Sequence, residues 1–587
     1  MITKKSTKTI FLSITIFFIF CLSLTFIPFI QQLAINIVEN LKHDDINDVF
    51  WKQQMFAFGC LGIVFFILLS LICCTNKGYN LFIDHISKIK EIYKNIKNNK
   101  KYLYILIAFY FIGYFSIIRA NFWNFSIDDL PRQMEGSREW VNFYRYISEF
   151  GSIILHTSTT IFDVAPLTQF FAIFFISIAS FFIISIFTEN NFSILNCFAI
   201  LPVGLFPFYL SNFSYRYDSP YMAFSVLVCV IPFLFHKNLK HFYISSILCL
   251  FLMCISYQAS SGIYIFLAVL VFTQNLISKK MNSKELLHFT LASIFSFIIS
   301  LLLFSFIFIE KVEGDIYVDT AIKLSNILTN LELYLKTLIT DLGFNILSFL
   351  SIAVFFIYII YNVINSKINK ILTFFVALLT IVFCIPMTFG AYLAIAKPEF
   401  IPRAFIGIGV FIGTITLICS NLQLNSKFLN AIKNFCLIYL SYCTIAFAYG
   451  FGNAQYDQKE YIQFRSTILS YDLSEVIPET DEAIELLFVN NLDYTKSVDV
   501  LGKVYPLVYK SIDRGFSSHR GSEFVLESFN LCKLISGTNH NYLDSNFPIL
   551  KENRYHIIQG YKNKYLITFK IPDQKVIKTR SFIDYEE

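Results

Sequence analysis

The feature that most constrains this chain is a series of long apolar stretches, which fill most of its first 450 positions. An α-helix needs about 20 apolar residues to cross the hydrocarbon core of a bilayer. Thirteen segments meet that test, near residues 9–30, 54–74, 102–119, 167–187, 192–210, 221–236, 241–257, 262–278, 286–309, 345–362, 371–394, 404–420 and 429–450. Lys4, Lys5 and Lys8 precede the first stretch, which is too long for a secretion signal and has no small-residue cleavage site after it. It reads as an uncleaved anchor. Charged residues make up 15% of the chain, against about 25% in a soluble domain. Residues 451–587 hold 35 of the 88 charged residues, so a polar C-terminal domain follows the spans.

The Lys/Arg bias of short loops sets direction. With the N-terminus inside, the inner loops carry Lys237 and Lys240; Lys279, Lys280 and Lys284; Lys367 and Lys370; and Lys427. Between Asn76 and Lys101 there are seven lysines, and Phe82, Ile86, Ile89, Tyr93 and Ile96 recur at helical spacing. Such a segment fits an amphipathic helix on an anionic leaflet. The first outer loop is acidic instead, with Glu39, Asp44, Asp45 and Asp48. These loops divide the chain into an N-terminal transmembrane hairpin (1–75), a basic inner segment (76–101), a transmembrane region (102–450) with a long outer loop at 121–166, and an outer domain (451–587). In that domain Leu486–Val489 and Tyr565–Phe569 read as strands, and Glu479–Glu485 as helix-like. No basic stripe points to nucleic acid, and no CxxC or His/Cys spacing points to a structural metal. Nearly all of the thirteen cysteines lie in predicted spans, leaving Cys532 alone in the outer domain.

The outer loop holds the candidate chemistry. Asp128 and Asp129 follow the third span, and Pro131 suits the first turn of a helix. An aspartate just ahead of such a proline is also a good N-cap, which accounts for Asp129 and leaves Asp128 without a role. Arg132 in that first turn opposes the helix dipole, which points to an anionic partner, either Asp128 or a ligand phosphate. Arg138 and Arg145 are seven apart and share a helix face, and Trp140 and Tyr144 suit the membrane interface. Arginine forks bind phosphate, and a carboxylate can take a proton from an incoming hydroxyl. The other outer turns add Arg216, Tyr217, Asp218, Tyr257, Gln258 and Arg403.

The ordered set Asp128-Asp-Leu-Pro-Arg132-Gln-Met-Glu-Gly136, Trp140, Arg145, Asp163-Val-Ala-Pro-Leu167, Asn212-Phe-Ser-Tyr-Arg-Tyr-Asp218, Ser256-Tyr-Gln258 and Pro402-Arg403 resembles the phage-borne, serotype-converting O-antigen glucosyltransferases, the Gtr group. Tyr449–Asn453 with Gln458-Lys459 extends the resemblance, which runs from about residue 100 to 587. It implies a polytopic α-helical membrane protein of the GT-C type with about 13 transmembrane helices and a C-terminal periplasmic α/β domain. The protein would sit in the bacterial inner membrane with its N-terminus in the cytoplasm. The donor would be undecaprenyl-phosphate glucose and the acceptor a hydroxyl of lipopolysaccharide O-antigen, joined with inversion. Carried over residue by residue, Asp128 or Asp129 is the general base. Arg132, Arg145, Arg216 and Arg403 bind the donor phosphate, and Trp140, Asp163, Tyr217, Asp218, Tyr257 and Gln258 contact substrate. No cofactor is required, although carboxylates beside a phosphate leave room for a divalent cation. A donor synthase and a donor flippase are the expected functional links. GT-C enzymes usually carry the acidic motif in the first outer loop; here it is in the second, which makes residues 1–75 an N-terminal addition. A flippase for lipid-linked sugars would place ionisable groups in mid-membrane and often shows repeated halves, whereas these span interiors are nearly uncharged. An O-antigen polymerase or ligase would share the substrates without this ordered set.

Overall fold

The computed structural model describes residues 76–122, 129–308, 323–478, 484–516, 526 and 547–570. The chain divides into two units, residues 1–98 and 99–587. The first two predicted spans, near 9–30 and 54–74, lie outside the described residues. Helix α1 (Asn76–Ala120) takes up the basic amphipathic segment and the next apolar stretch as one helix. The outer loop that follows contains α2 (Asp129–Glu135), a 3-10 turn at Trp140–Phe143 and α3 (Tyr146–His156).

The apolar stretches then become α4 (Leu167–Phe187), the short helices α5 (Ile194–Ala199), α6 (Pro202–Leu205) and α7 (Pro207–Ser214), α8 (Ser219–Val230), α9 (Leu239–Cys254), α10 (Ser261–Ile277) and α11 (Ser283–Phe308). Beyond residue 322 come α12 (Ile327–Leu342), α13 (Ile346–Asn365), α14 (Lys370–Met387), α15 (Ile406–Ser420) and α16 (Lys427–Val476). Eight of the described helices are long and apolar enough to cross a membrane, which makes this a polytopic helical membrane protein. Residues 194–214 form a ninth candidate bent by 61°. The break falls at Phe206-Pro207, where proline removes a backbone donor and forces its predecessor out of helical geometry; Phe206 has φ −65° and ψ 142°. The stretches 219–235 and 239–254 are helical but shorter than a span requires. The described residues therefore show eight or nine spans where eleven were expected.

Two further differences concern local structure. α12 occupies a stretch for which the sequence reading named no element. Helix α16 does not stop near residue 450 but continues to Val476. Against its second half packs a mixed sheet of β1 (Glu485–Phe488), β2 (Ile549–Glu552), β3 (His556–Tyr561) and β4 (Lys564–Phe569), in the order β1-β4-β3-β2. β1 and β4 run parallel and the other pairs antiparallel. Buried Arg465 of α16 donates to the Tyr555 carbonyl at 2.6 Å, and Asp472 meets His556 Nε2 at 2.8 Å. The two expected strands are β1 and β4. Of the helix-like stretch 479–485, residues 479–483 lie outside the described residues, and Glu485 begins β1 instead. The remaining helices, α17 (Lys496–Val504) and α18 (Val508–Ser511), lie between β1 and β2 in the chain.

The helices have two distinct ends. At one, the ends of α4, α10 and α13 meet around a polar cavity of about 110 Å³ lined by Glu189, His236, Gln274, Lys280, Tyr361 and Asn362; Lys237, Lys279 and Lys367 lie in the same turns. At the other end, α2, α3 and the α7–α8, α9–α10 and α14–α15 connections converge. Close approach there depends on glycine. A methyl group on Gly262 would sit 2.5 Å from the Met387 carbonyl oxygen and closer still to that of Thr388. Both obstacles are backbone atoms and cannot rotate away. Overpacking of this kind costs about 1–3 kcal/mol, so Gly262→Ala is expected to lower the detergent-solubilised melting temperature by several degrees. An unchanged melting curve would contradict this packing.

Candidate functional site

Asp218, at the N-cap of α8, is the hub of the converging end. Its Oδ2 pairs with Arg132, its Oδ1 accepts from Trp140 Nε1 at 2.5 Å, and Arg145 approaches the same oxygen at 4.0 Å. All three partners come from the outer loop, so one carboxylate clamps that loop to the spans. The Arg132 guanidinium also lies 4.4 Å over the Trp140 ring. A desolvated cation–π contact of this kind contributes about 2 kcal/mol. Asp128 or a ligand phosphate was the expected partner of Arg132; the structure pairs it instead with Asp218, 86 residues along the chain. Trp140 is fully buried rather than interfacial, because its indole N–H has a carboxylate to satisfy it inside.

A second pair lies beside the first. Arg216 binds Asp163 at 2.5 Å, and the Arg216 backbone N–H donates to Asp129 Oδ2 at 3.2 Å. Asp129 is the first residue of α2 and is fully buried. Its carboxylate thus reaches across to the α7–α8 connection. Asp128 lies outside the described residues. Arg145 stacks 4.9 Å over Tyr257, whose hydroxyl donates to the Arg403 carbonyl at 3.0 Å; Asn212 Nδ2 donates to the same carbonyl at 3.0 Å. Arg403 itself lies 4.8 Å over Tyr215. Gln258 donates to the Phe143 carbonyl at 3.2 Å. Tyr217 packs with Trp140, Ile161 and Tyr221.

Arg138 and Arg145 do not share a helix face, because Gly136, Glu139 and Tyr144 take left-handed φ values of 66°, 51° and 56° and break the segment. Arg138 turns instead to Glu149 Oε1 at 2.7 Å. Sequence reasoning missed Glu149, whose buried carboxyl has a pKa raised by burial and opposed by Arg138 and the Trp140 and Val141 amides. It also missed Asn212 and Tyr215 as partners of Arg403. Their position inside the quoted Asn212–Asp218 motif was the available signal.

His156 is buried and stacks 5.8 Å from Tyr217. Burial lowers its pKa, against the Ser152 carbonyl and Asp163. A histidine whose folded pKa lies below its unfolded value, about 6.5, is protonated more readily once unfolded, so the fold loses stability as pH falls through that value. Melting temperatures are expected to drop between pH 7.5 and 5, and by less in His156→Gln. Equal drops would contradict this assignment.

Among the described residues no group of three His, Cys, Asp or Glu side chains is arranged to hold a metal ion. The spans and the arginine–aspartate cluster at one end define a membrane protein with a buried ionic network where its outer loop meets the helices. A family model described as Glucosyl transferase GtrII matches residues 120–420, and the chain belongs to that family of glycosyltransferases. It is also similar to the "Uncharacterized 55.3 kDa protein in gtrB 5'region" of Salmonella phage P22, at 26% identity over 224 residues, covering 38% of this chain and 45% of that protein. The chain thus spans less than half the length of that curated relative. No solved structure matches.

Proposed function

We propose that the protein moves a sugar, glucose, from undecaprenyl phosphate to a hydroxyl of lipopolysaccharide O-antigen, with inversion, on the periplasmic face of the inner membrane. In this reading the chain has a GT-C-like arrangement of spans, a cytoplasmic N-terminus and a periplasmic α/β domain at its C-terminus. The observation that carries it is the convergence of Arg132, Arg145, Arg216 and Arg403 with Asp129, Asp163 and Asp218 inside the family match. The lysine-rich loops gather at the opposite end of the helices, which the positive-inside rule assigns to the cytoplasm.

The acceptor hydroxyl gives its proton to Asp128 or Asp129 as its oxygen attacks the anomeric carbon. The bond from that carbon to the phosphate oxygen breaks, and the phosphate leaves with the electron pair. Arg132 and Arg216 already have aspartate partners, which suits them to hold the architecture. Arg145 is farther from its carboxylate and stacks on Tyr257, and Arg403 stacks on Tyr215. These two are assigned to the charge that grows on the leaving phosphate. Removing one such stabilising group typically costs 10²–10³ in kcat.

The direct test is transfer from purified undecaprenyl-phosphate glucose to isolated O-antigen, followed by NMR of the new linkage. The expected product has the anomeric configuration opposite to the donor's, and a nucleotide-linked glucose does not replace the donor. Retained configuration, or transfer from the nucleotide sugar alone, would overturn the reading.

A further inference from the structure

Helix α12 has three faces. Asn330, Tyr334 and Asp341 are buried against the protein. Asn330 Nδ2 donates to the carbonyls of Leu393 and Ile395 at 3.0 and 2.9 Å. Tyr334 stacks on Phe389 and Phe405 at 4.6 and 4.8 Å and shares a hydroxyl hydrogen bond with Thr388. Asp341 binds Lys510 of α18 at 2.8 Å. A second face carries Thr329, Glu332, Lys336 and Thr340, all exposed, with Leu333 exposed among them. A third is apolar, with Leu328, Leu331, Leu335, Ile339 and Leu342 at helical spacing; Leu328 is 78% exposed.

That apolar face has an identifiable occupant. Helix α13 is long and apolar enough to span a membrane, and Ile346, Phe349, Ile352, Phe356 and Ile360 are exposed along it. At their spacing of three or four residues they form one stripe, as expected of a lipid-facing side. The stripe begins two residues after Phe344, which is 87% exposed and follows directly on α12 and Gly343. A helix with one apolar and one charged face, joined end to end with a span, matches a helix lying in the plane of the bilayer interface.

We propose that α12 is an interfacial helix whose apolar face is embedded among phospholipid acyl chains of the leaflet at the arginine–aspartate end. Its buried face ties that leaflet to two parts of the protein at once. Through Tyr334 and Asn330 it holds residues 388–405, which include Arg403, and through Asp341 it holds α18. This assignment does not depend on the transfer reading.

Added tryptophans test it in the full-length protein, reconstituted in phosphatidylethanolamine/phosphatidylglycerol vesicles containing 6,7-dibrominated phosphatidylcholine. The signal is the emission of each variant minus that of the parent. Leu328→Trp and Phe344→Trp are expected to be quenched by the brominated lipid at least threefold more than Glu332→Trp, whereas acrylamide quenches Glu332→Trp the most. Strong acrylamide quenching at Leu328→Trp without lipid quenching would overturn the proposal in favour of a water-facing helix. Protection of both Leu328→Trp and Phe344→Trp from both quenchers would overturn it in favour of a covering protein. Ile339→Trp, on the same apolar face and 57% exposed in the parent, is expected to be quenched as Leu328→Trp is, so the test survives a Leu328→Trp variant that fails to fold.

Discussion

Asp129→Asn is expected to lower transfer by about 10²–10⁴, the usual contribution of a positioned general base, while the protein folds and binds donor normally. The distinction rests on what the carboxylate does in the structure. Its Oδ2 accepts from the Arg216 amide, and an asparagine side-chain oxygen can accept the same bond. Loop anchoring should therefore survive, whereas proton abstraction should not. Single-turnover transfer at saturating donor reads the chemical step, and retention of donor on the immobilised protein reads binding. If the base is Asp128, the same loss appears in Asp128→Asn and leaves Asp129→Asn active. A loss of donor binding in Asp129→Asn, matched by the loss of transfer, would mean that the residue serves architecture.

The second large effect is expected at Asp218, and it is structural before it is catalytic. Asp218→Asn leaves Arg132, 4% exposed, as a buried cation without its anion. Breaking a buried pair on one side typically costs about 3–5 kcal/mol. It also weakens the Trp140 bond, whose share is about 1.5–3 kcal/mol when the acceptor is charged. The expected result is a sharp fall in the yield of folded protein and in its melting temperature. The double variant Arg132→Met with Asp218→Asn should recover much of the stability, because an apolar replacement of a buried pair is often neutral. It should not recover transfer, since Arg145 also loses the carboxylate 4.0 Å away. A double variant as unstable as the single one would show that Asp218 acts mainly through other contacts.

Much of the helical architecture was legible because hydrophobic length is a long-range, composition-level signal. Each of the eleven apolar stretches within the described residues coincides with apolar helix. Their ends were not legible. Pro207 turns one stretch into a helix pair bent by 61°, and whether a stretch of 16 or 17 residues spans or stops short depends on packing. α12 went unread because Asn330, Glu332 and Lys336 interrupt its apolar run, and the stretch is amphipathic rather than uniformly apolar. α16 runs past residue 450 although the chain turns polar there, since a helix crosses from lipid to water with no change in its backbone bonds.

At the site, the sequence motif named the residues but not their partners. Arg132 was expected in the first turn of α2, where the dipole disfavours a cation; it lies instead in the last turn of that short helix, and it meets a buried anion all the same. The anion is Asp218, which only the fold brings near. The outer loop looked like one helix through Arg138 and Arg145. Left-handed geometry at Glu139 and Tyr144 breaks it, and neither residue type announces that geometry, which is commonest at glycine and asparagine. The Glu149–Arg138 pair was missed for the same reason, since it forms only once the chain has turned back.

The proposed role of the arginine–aspartate cluster is glycosyl transfer from a lipid phosphate. Its most direct test uses proteoliposomes with undecaprenyl phosphate bearing labelled glucose, supplied with purified O-antigen, and compares the native protein with Asp128→Asn and Asp129→Asn. The expected result is label covalently bound in the O-antigen with native protein, and at least a hundredfold slower appearance in one of the two variants. Label that crosses the membrane without entering a glycosidic bond, or full transfer by both variants, would contradict it.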